Sequence, residues 1–246
     1  LPKARAPEAK LKSFEFTGPD VRADILEKYG AAGGLTGLFA EPTETAIHKW
    51  HHFLPLYDRY FSPYRGKPLK FLEIGVSGGG SLALWRRFFG PEAVIFGIDI
   101  NPDCAAFDGL AGQVRIGSQD DPAFLAKVVA EMGGIDIVLD DGSHVMDHIK
   151  SSLEALFPAL SEGGIYMIED LHTAYGPSFG GGFNAPGNFY NEVRRMIDDM
   201  HHWYHGKAPH VPARAAWVSG LHIHDSLVVI DKGKVYPPTH SVVGIE

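Results

Sequence analysis

A chain of 246 residues with 45% apolar composition can bury one sizeable core, so one main domain with appended segments is expected rather than two equal ones. It contains no apolar run of about eighteen residues, and Lys3, Arg5, Lys10 and Lys12 precede no apolar stretch, which argues against a membrane span and a secretory signal. The net charge of −8 without a Lys/Arg cluster argues against nucleic acid and for a small-molecule partner, and the lone Cys104 excludes an internal disulfide framework and fits a cytoplasmic protein.

The first residue is Leu rather than Met, so the extreme N-terminus is expected to be either missing or processed. Residues 1–19 read as a polar, mobile lead. A short helix follows from a cap at Asp20 to a stop at Gly30, then a glycine-rich loop to Gly37. A second, amphipathic helix is predicted over roughly Thr45 to Tyr60, ending before Ser62-Pro63, with Tyr57 and Tyr60 as packing residues. Residues 1–64 therefore read as a tail and helical segment, and 65–246 as the principal domain.

From Leu69 apolar runs alternate with helical periods. The expected elements are strand Lys70–Ile74, helix Ser81–Phe89, strands Ala93–Ile98 and Gln113–Ile116, helix Pro122–Met132, strand Ile135–Leu139, helix Val145–Leu160 and strand Gly164–Ile168. A helix follows with Phe189, Val193, Met196, Ile197 and Met200 on one face, and strands near Val218–His224 and Leu227–Ile230 form a hairpin. The alternation predicts an α/β fold: a doubly wound, mostly parallel seven-stranded Rossmann-like sheet closed by an antiparallel C-terminal hairpin.

The stretch Phe71-Leu72-Glu73-Ile74-Gly75-Val76-Ser77-Gly78-Gly79-Gly80-Ser81 is a strand, a glycine turn and a helix start. Such a turn lets a ligand approach the backbone, and the helix N-terminus favours an anionic group. Asp99 ends the following strand, where a carboxylate accepts both ribose hydroxyls of a nucleoside cofactor. This geometry serves nicotinamide cofactors and S-adenosylmethionine (SAM) alike, but the glycine spacing departs from G-x-G-x-x-G, and Glu73 inside the strand suits SAM better.

Two acidic clusters carry the rest. Asp140-Asp141-Gly142-Ser143-His144 closes one buried run and Glu169-Asp170 closes the next, so their carboxylates emerge together where open α/β sheets bind ligands. Hard oxygen donors at strand ends suit Mg²⁺, and a histidine three residues on can accept a proton. Taken singly, Asp141-Gly142 is also an ordinary turn and helix cap, and Glu169-Asp170 an ordinary solvated strand end. The remaining histidine groups, His48/His51/His52, His201/His202/His205 and His222/His224, read as surface or packing residues.

Together, Glu73-x-Gly75, Asp99, Gly117-Ser118-Gln119-Asp120, the Asp140-to-His144 block and Glu169-Asp170 resemble class I SAM-dependent methyltransferases. More closely, they resemble the Mg²⁺-dependent sugar O-methyltransferases of macrolide biosynthesis, the mycinamicin type, over about Thr43 to Gly233. The resemblance implies Asp141, Glu169 and Asp170 as metal ligands and His144 as general base. It places Glu73 and Gly75 at the methionine moiety, Asp99 at the ribose and Gln119 with Asp120 near the adenine; Ser81 and Asp140 are grouped with the cofactor. His172 and Tyr175 are candidates for the acceptor pocket, within a lid over 171–187 that also carries Phe179 and Phe183. The long separate N-terminal domain of that type has no counterpart here, so the oligomer and part of the acceptor pocket are not carried over.

The expected reaction is methyl transfer from SAM to a sugar hydroxyl of a glycosylated natural product or saccharide, with Mg²⁺ orienting and acidifying that hydroxyl. Phenolic or catechol methylation uses the same metal logic. A nicotinamide-dependent oxidoreductase and a non-catalytic SAM- and metal-binding module are the readings from other classes. A homo-oligomer is left open.

Overall fold

The computed structural model describes residues 11–12, 14–30, 33–41, 45–205 and 213–244. Its seven strands are β1 (Lys70–Ile74), β2 (Val94–Asp99), β3 (Gln113–Ile116), β4 (Ile135–Asp140), β5 (Leu160–Ile168), β6 (Val218–His224) and β7 (Leu227–Lys232). They form one sheet in the order β3-β2-β1-β4-β5-β7-β6. The first five pair in parallel and the last two antiparallel, which is the expected doubly wound sheet with its hairpin.

Both faces of the sheet are covered, which is why the parallel strands read as continuous apolar runs. Phe71, Ile137, Leu139, Met167 and Val229 face a core shared with α3 (Leu54–Phe61) and α4 (Gly80–Phe89). Leu72, Ile74, Val138, Ile168 and Ile230 face the opposite core, under α5 (Pro122–Met132), α6 (Met146–Leu156) and α7 (Tyr190–Met200). Truncating one of these fully buried residues, such as Ile137→Ala, is worth about 2–5 kcal/mol. The helix α1 (Val21–Tyr29) starts where Asp20 accepts the Ala23 N–H and stops at Gly30 in the left-handed region, as expected. Within α5, Asp121 caps the N–H groups of Ala123 and Phe124 ahead of Pro122.

Three local expectations are corrected. The stretch taken as a glycine-rich loop contains α2 (Gly34–Phe39), whose Leu35 N–H is capped across the chain by Asp58 Oδ1 at 3.2 Å and whose Leu35 and Thr36 are buried. The predicted helix over 45–60 is two different things: residues 46–50 lie outside any helix or strand, and the helical part begins with a 3-10 turn at His51–Phe53 and α3 at Leu54. Pro55 explains the start, because proline fits the first helical turn and disrupts an interior. Finally, α6 stops at Leu156 and β5 begins at Leu160, four residues before its expected start, with Leu160 pairing Ile135 across an irregular register.

The topology fixes the site. β1 and β4 are neighbours whose connections leave in opposite directions, so a crevice opens at their carboxyl ends. The ladder continues one residue past the strands: Gly75 N donates to Ile98 O, Asp141 N to Ile74 O and Glu169 N to Asp140 O. Gly75, Asp141 and Glu169 therefore stand side by side. No helix among the described residues is long and apolar enough to cross a membrane.

Candidate active site

The crevice is a cleft of about 480 Å³, lined by the glycine turn after β1, Asp99, residues 117–119 after β3, residues 141–144 after β4, and Asp170 after β5. That volume suits a small organic ligand. On its cofactor side, Gly75 has φ +97°, and a Cβ there would lie 2.1 Å from the Asp141 carbonyl oxygen. Only glycine meets both demands.

Asp99 accepts from Val76 N at 2.9 Å and Ser77 N at 3.0 Å through Oδ2, and from Asn101 N at 2.8 Å through Oδ1. Burial alone would raise this carboxyl, but the three N–H donors outweigh it and hold Asp99 below the usual carboxylate range. It lines the cleft as a fixed anion, in the position expected for a ribose partner.

Of the residues expected at the cofactor, Glu73, Asp120 and Asp140 do not line the cleft. Glu73 is fully buried beneath the glycine turn, where it accepts from Ser81 Oγ at 2.8 Å and Trp85 Nε1 at 3.0 Å; Ser81 lines the cleft in its place. Burial pushes the Glu73 carboxyl up to about 7 despite Lys49 and these donors. Asp140 is buried too, receiving Ser152 Oγ at 2.6 Å and Gln119 Nε2 at 3.1 Å, while Gln119 Oε1 accepts from Ser143 N at 2.7 Å. Asp140 thus orients Gln119, and Gln119 pins the loop that carries His144. Asp120 is exposed and pairs with His148 at 3.4 Å.

On the other side, donor atoms of Asp141, His144 and Asp170 lie within 4.8 Å of one another, the one group of this kind among the described residues. His144 Nε2 is 4.0 Å from Asp141 Oδ1 and 3.7 Å from Asp170 Oδ2. Both His144 (φ +56°) and Asp170 (φ +54°) are in the left-handed region, uncommon for residues with side chains and recurrent at functional sites. The other histidine groups do other work: His51 pairs with Asp24 at 2.7 Å, His222 with Asp231 at 2.8 Å, and His224 meets Tyr60 Oη at 2.9 Å.

Glu169 is next in sequence to this cluster but turned to different partners. Its Oε1 accepts from Tyr57 Oη at 2.5 Å, and Lys49 Nζ reaches its Oε2 at 3.0 Å and Asp141 Oδ2 at 2.5 Å. Burial would depress the Lys49 ammonium, but Asp141 and Glu169 hold it above the usual lysine range; burial and Asp141 push Glu169 up, because one ammonium serves two carboxylates. Lys49 escaped the sequence reading, and Tyr57 was expected only to pack. Their partners lie 92 to 120 residues away, and no local pattern marks them.

His172 bonds Ser226 Oγ at 2.7 Å, sits 3.8 Å from Asp170 Oδ1 and meets the Trp50 ring edge-on at 5.3 Å. Burial lowers its imidazole below the usual value. Tyr175 is about half exposed and packs on Tyr190 at 5.8 Å, away from the cleft lining. The segment expected as a lid holds two 3-10 turns, Leu171–Tyr175 and Pro177–Phe179, cross-bonded by Gly182 N to Ala174 O at 2.8 Å and Asn188 Nδ2 to Gly182 O at 3.0 Å. Phe183 projects into solvent.

The donor set fits a hard divalent cation. Asp170 Oδ1 is buried with no hydrogen-bond partner, and carboxylates outnumber ammonium groups around it, a balance that calls for a further positive charge. The glycine turn, its backbone-held Asp99 and the cleft volume fit a nucleoside-bearing cofactor.

A seven-stranded sheet in this order, with a nucleoside-type cleft at its switch point, is the architecture of class I methyltransferases. Residues 72–171 match a family model described as a methyltransferase domain. The chain is 39% identical over 226 residues to the 8-demethyl-8-(2-methoxy-alpha-L-rhamnosyl)-tetracenomycin-C 3'-O-methyltransferase of Streptomyces olivaceus, covering 86% of this chain and 57% of that protein. It is 39% identical over 214 residues to the demethylmacrocin O-methyltransferase of Streptomyces fradiae, covering 81% and 52%. The solved MycE methyltransferase of the mycinamycin biosynthetic pathway, in complex with Mg, SAH and mycinamycin VI, superposes with a TM-score of 0.70 at 33% identity over 89% of this chain and 54% of that one. Over four fifths or more of its own length the chain is similar to these O-methyltransferases, and it spans between half and three fifths of the length of the relatives just given.

Proposed function

We propose that this chain transfers a methyl group from SAM to a hydroxyl of a sugar carried by a glycosylated small molecule. The observation that carries the reading is one cleft holding both a nucleoside-type pocket, from Gly75 to Asp99, and the Asp141/His144/Asp170 cluster. The named activities of its relatives, on rhamnosyl tetracenomycin and on demethylmacrocin, support a sugar acceptor.

Asp141 and Asp170 would hold Mg²⁺ beside His144. Glu169, the third ligand expected from the resemblance, would stand behind them on Lys49 and Tyr57. When bound, SAM supplies a methyl group activated by its sulfonium, and Mg²⁺ supplies a Lewis acid that acidifies and orients the acceptor hydroxyl.

The remaining work falls to the protein. The backbone of the glycine turn admits the cofactor closely, and Asp99 presents a fixed anion to its ribose. His144 accepts the acceptor's proton at Nε2, and the flanking carboxylates of Asp141 and Asp170 stabilise the imidazolium that results. His172, held by Ser226, and Trp50 wall the acceptor side.

Incubation with SAM and Mg²⁺ against a panel of rhamnosides, macrolide glycosides and catechols tests the reading. A mass gain of one methyl group on a glycoside, abolished by chelator, is expected. Methylation of catechols alone would move the chain to the phenolic class, and tighter binding of NAD than of SAM would remove the methyltransferase reading.

A further inference from the structure

Residues 46–49 border the cleft without belonging to the sheet. Ala46, Ile47, His48 and Lys49 all line the cavity, yet they come from a segment upstream of the sheet. At one end the segment lies directly on the start of α4: a Cβ on Gly80 would come 2.3 Å from Ala46 O and 2.7 Å from Ile47 Cγ1. At the other end the Lys49 ammonium sits between Asp141 and Glu169, with Tyr57 completing Glu169. Trp50 follows immediately, edge-on to the His172 ring at 5.3 Å. The segment thus touches the cofactor end of the cleft with its backbone and the carboxylate cluster with its one buried charge.

A lysine whose side chain is 2% exposed is tolerable only while it is paired. Lifting the segment from the cleft separates Lys49 from both carboxylates. We propose that Lys49 is a positioning residue that latches segment 46–50 over the bound cofactor, so that the carboxylates grouped around the metal position also govern cofactor release. The inference rests on the methyltransferase reading only for the identity of the cofactor. It gives Glu169 a function that requires no metal: anchoring the latch.

The test is run on this chain in chelator, with S-adenosylhomocysteine (SAH) as the probe. SAH dissociation is followed by stopped flow, and amide hydrogen exchange is measured over residues 46–50. Lys49→Met removes the cation from both carboxylates, whereas Glu169→Gln weakens one of its two ion pairs and leaves Asp141 in place. Lys49→Met should speed SAH release roughly tenfold or more and Glu169→Gln by a smaller factor, and the double variant should be no faster than Lys49→Met, because the ion pair that Glu169→Gln weakens is already lost in it. Exchange at 46–50 should accelerate in each, with the amides of α6 unchanged, and Lys49→Arg should recover part of the slow release.

A merely structural ion pair would lower the melting temperature and leave SAH release at the wild-type rate; that result, or additive effects in the double variant, overturns the latch. Should Lys49→Met fail to fold, Glu169→Gln, which keeps the shape of the side chain, decides the question alone. A wild-type chain that binds neither SAM nor SAH refutes the methyltransferase reading instead, and exchange at 46–50 then supports or overturns the latch without it.

Discussion

Around β1 the cleft is shaped by backbone, whereas around β4 and β5 it is shaped by side chains. At the cofactor end, Gly75 is defined by a φ of +97° and by the 2.1 Å that a Cβ would leave to Asp141 O, and Asp99 is held by three main-chain N–H groups. At the other end, the working atoms belong to Asp141, His144 and Asp170, and two of these three residues hold left-handed conformations despite having side chains. The first design fixes a shape and the second fixes a charge pattern. Substitutions should therefore damage binding at one end and chemistry at the other.

The sharpest break should come at the carboxylate end. Asp141→Ala and Asp170→Ala are each expected to abolish methyl transfer while SAH affinity, measured by calorimetry, stays largely intact; equal losses of SAH affinity and turnover would erase the distinction between the halves. His144→Ala should lower turnover about 10²–10⁴-fold without loss of Mg²⁺ or SAH binding, the usual contribution of a positioned base. Near-native turnover would pass the proton to another group, His172 being the first to examine.

At the backbone end the effects are smaller and read in stability and affinity. Glu73 carries a carboxyl whose folded value, about 7, exceeds its ordinary 4.5, so the folded state holds the proton more tightly and loses stability as pH rises through that interval. Glu73→Gln keeps acceptors for Trp85 and, with the Ser81 hydroxyl turned to accept, replaces the charge by an amide. It should be more stable than wild type at pH 8 by up to about 3 kcal/mol, with the difference vanishing toward pH 4.5, as read from urea midpoints. An unchanged difference across that range would mean that Glu73 is ionised throughout. Asp99→Ala should weaken SAH by about 1.5–3 kcal/mol, the worth of hydrogen bonds to a charged group, and leave the response to chelator unaltered.

The same division governs what could be read from the residues. Strands β1, β3 and β6 coincide with their expected limits because each is an apolar run bounded by turn residues, and the acidic blocks fall at strand ends because the runs before them are fully buried. α2 was hidden by glycine: its sequence has poor intrinsic propensity, and only burial of Leu35 and the remote cap from Asp58 make it helical. Segment 46–50 was absorbed into a helix by its periodicity, although Pro55 marks the true start three residues after the 3-10 turn opens. Which carboxylates turn away from the cleft was not legible. Glu73, Asp140 and Glu169 look like cleft residues by spacing, and the side chains that draw them away, Trp85, Ser152, Lys49 and Tyr57, are set by tertiary packing.

One hydrogen bond turns part of this machinery into a light source. Of the four tryptophans, Trp85 alone is fully enclosed, edge-on to Tyr57 at 5.3 Å, and its indole N–H ends on Glu73. Its emission should therefore be blue-shifted relative to Trp203 and Trp217, and its near-ultraviolet dichroism should follow the ionisation of the carboxyl below the glycine turn. A spectroscopist titrating the ligand-free protein near neutrality would be watching the floor of the cofactor pocket through a single native chromophore.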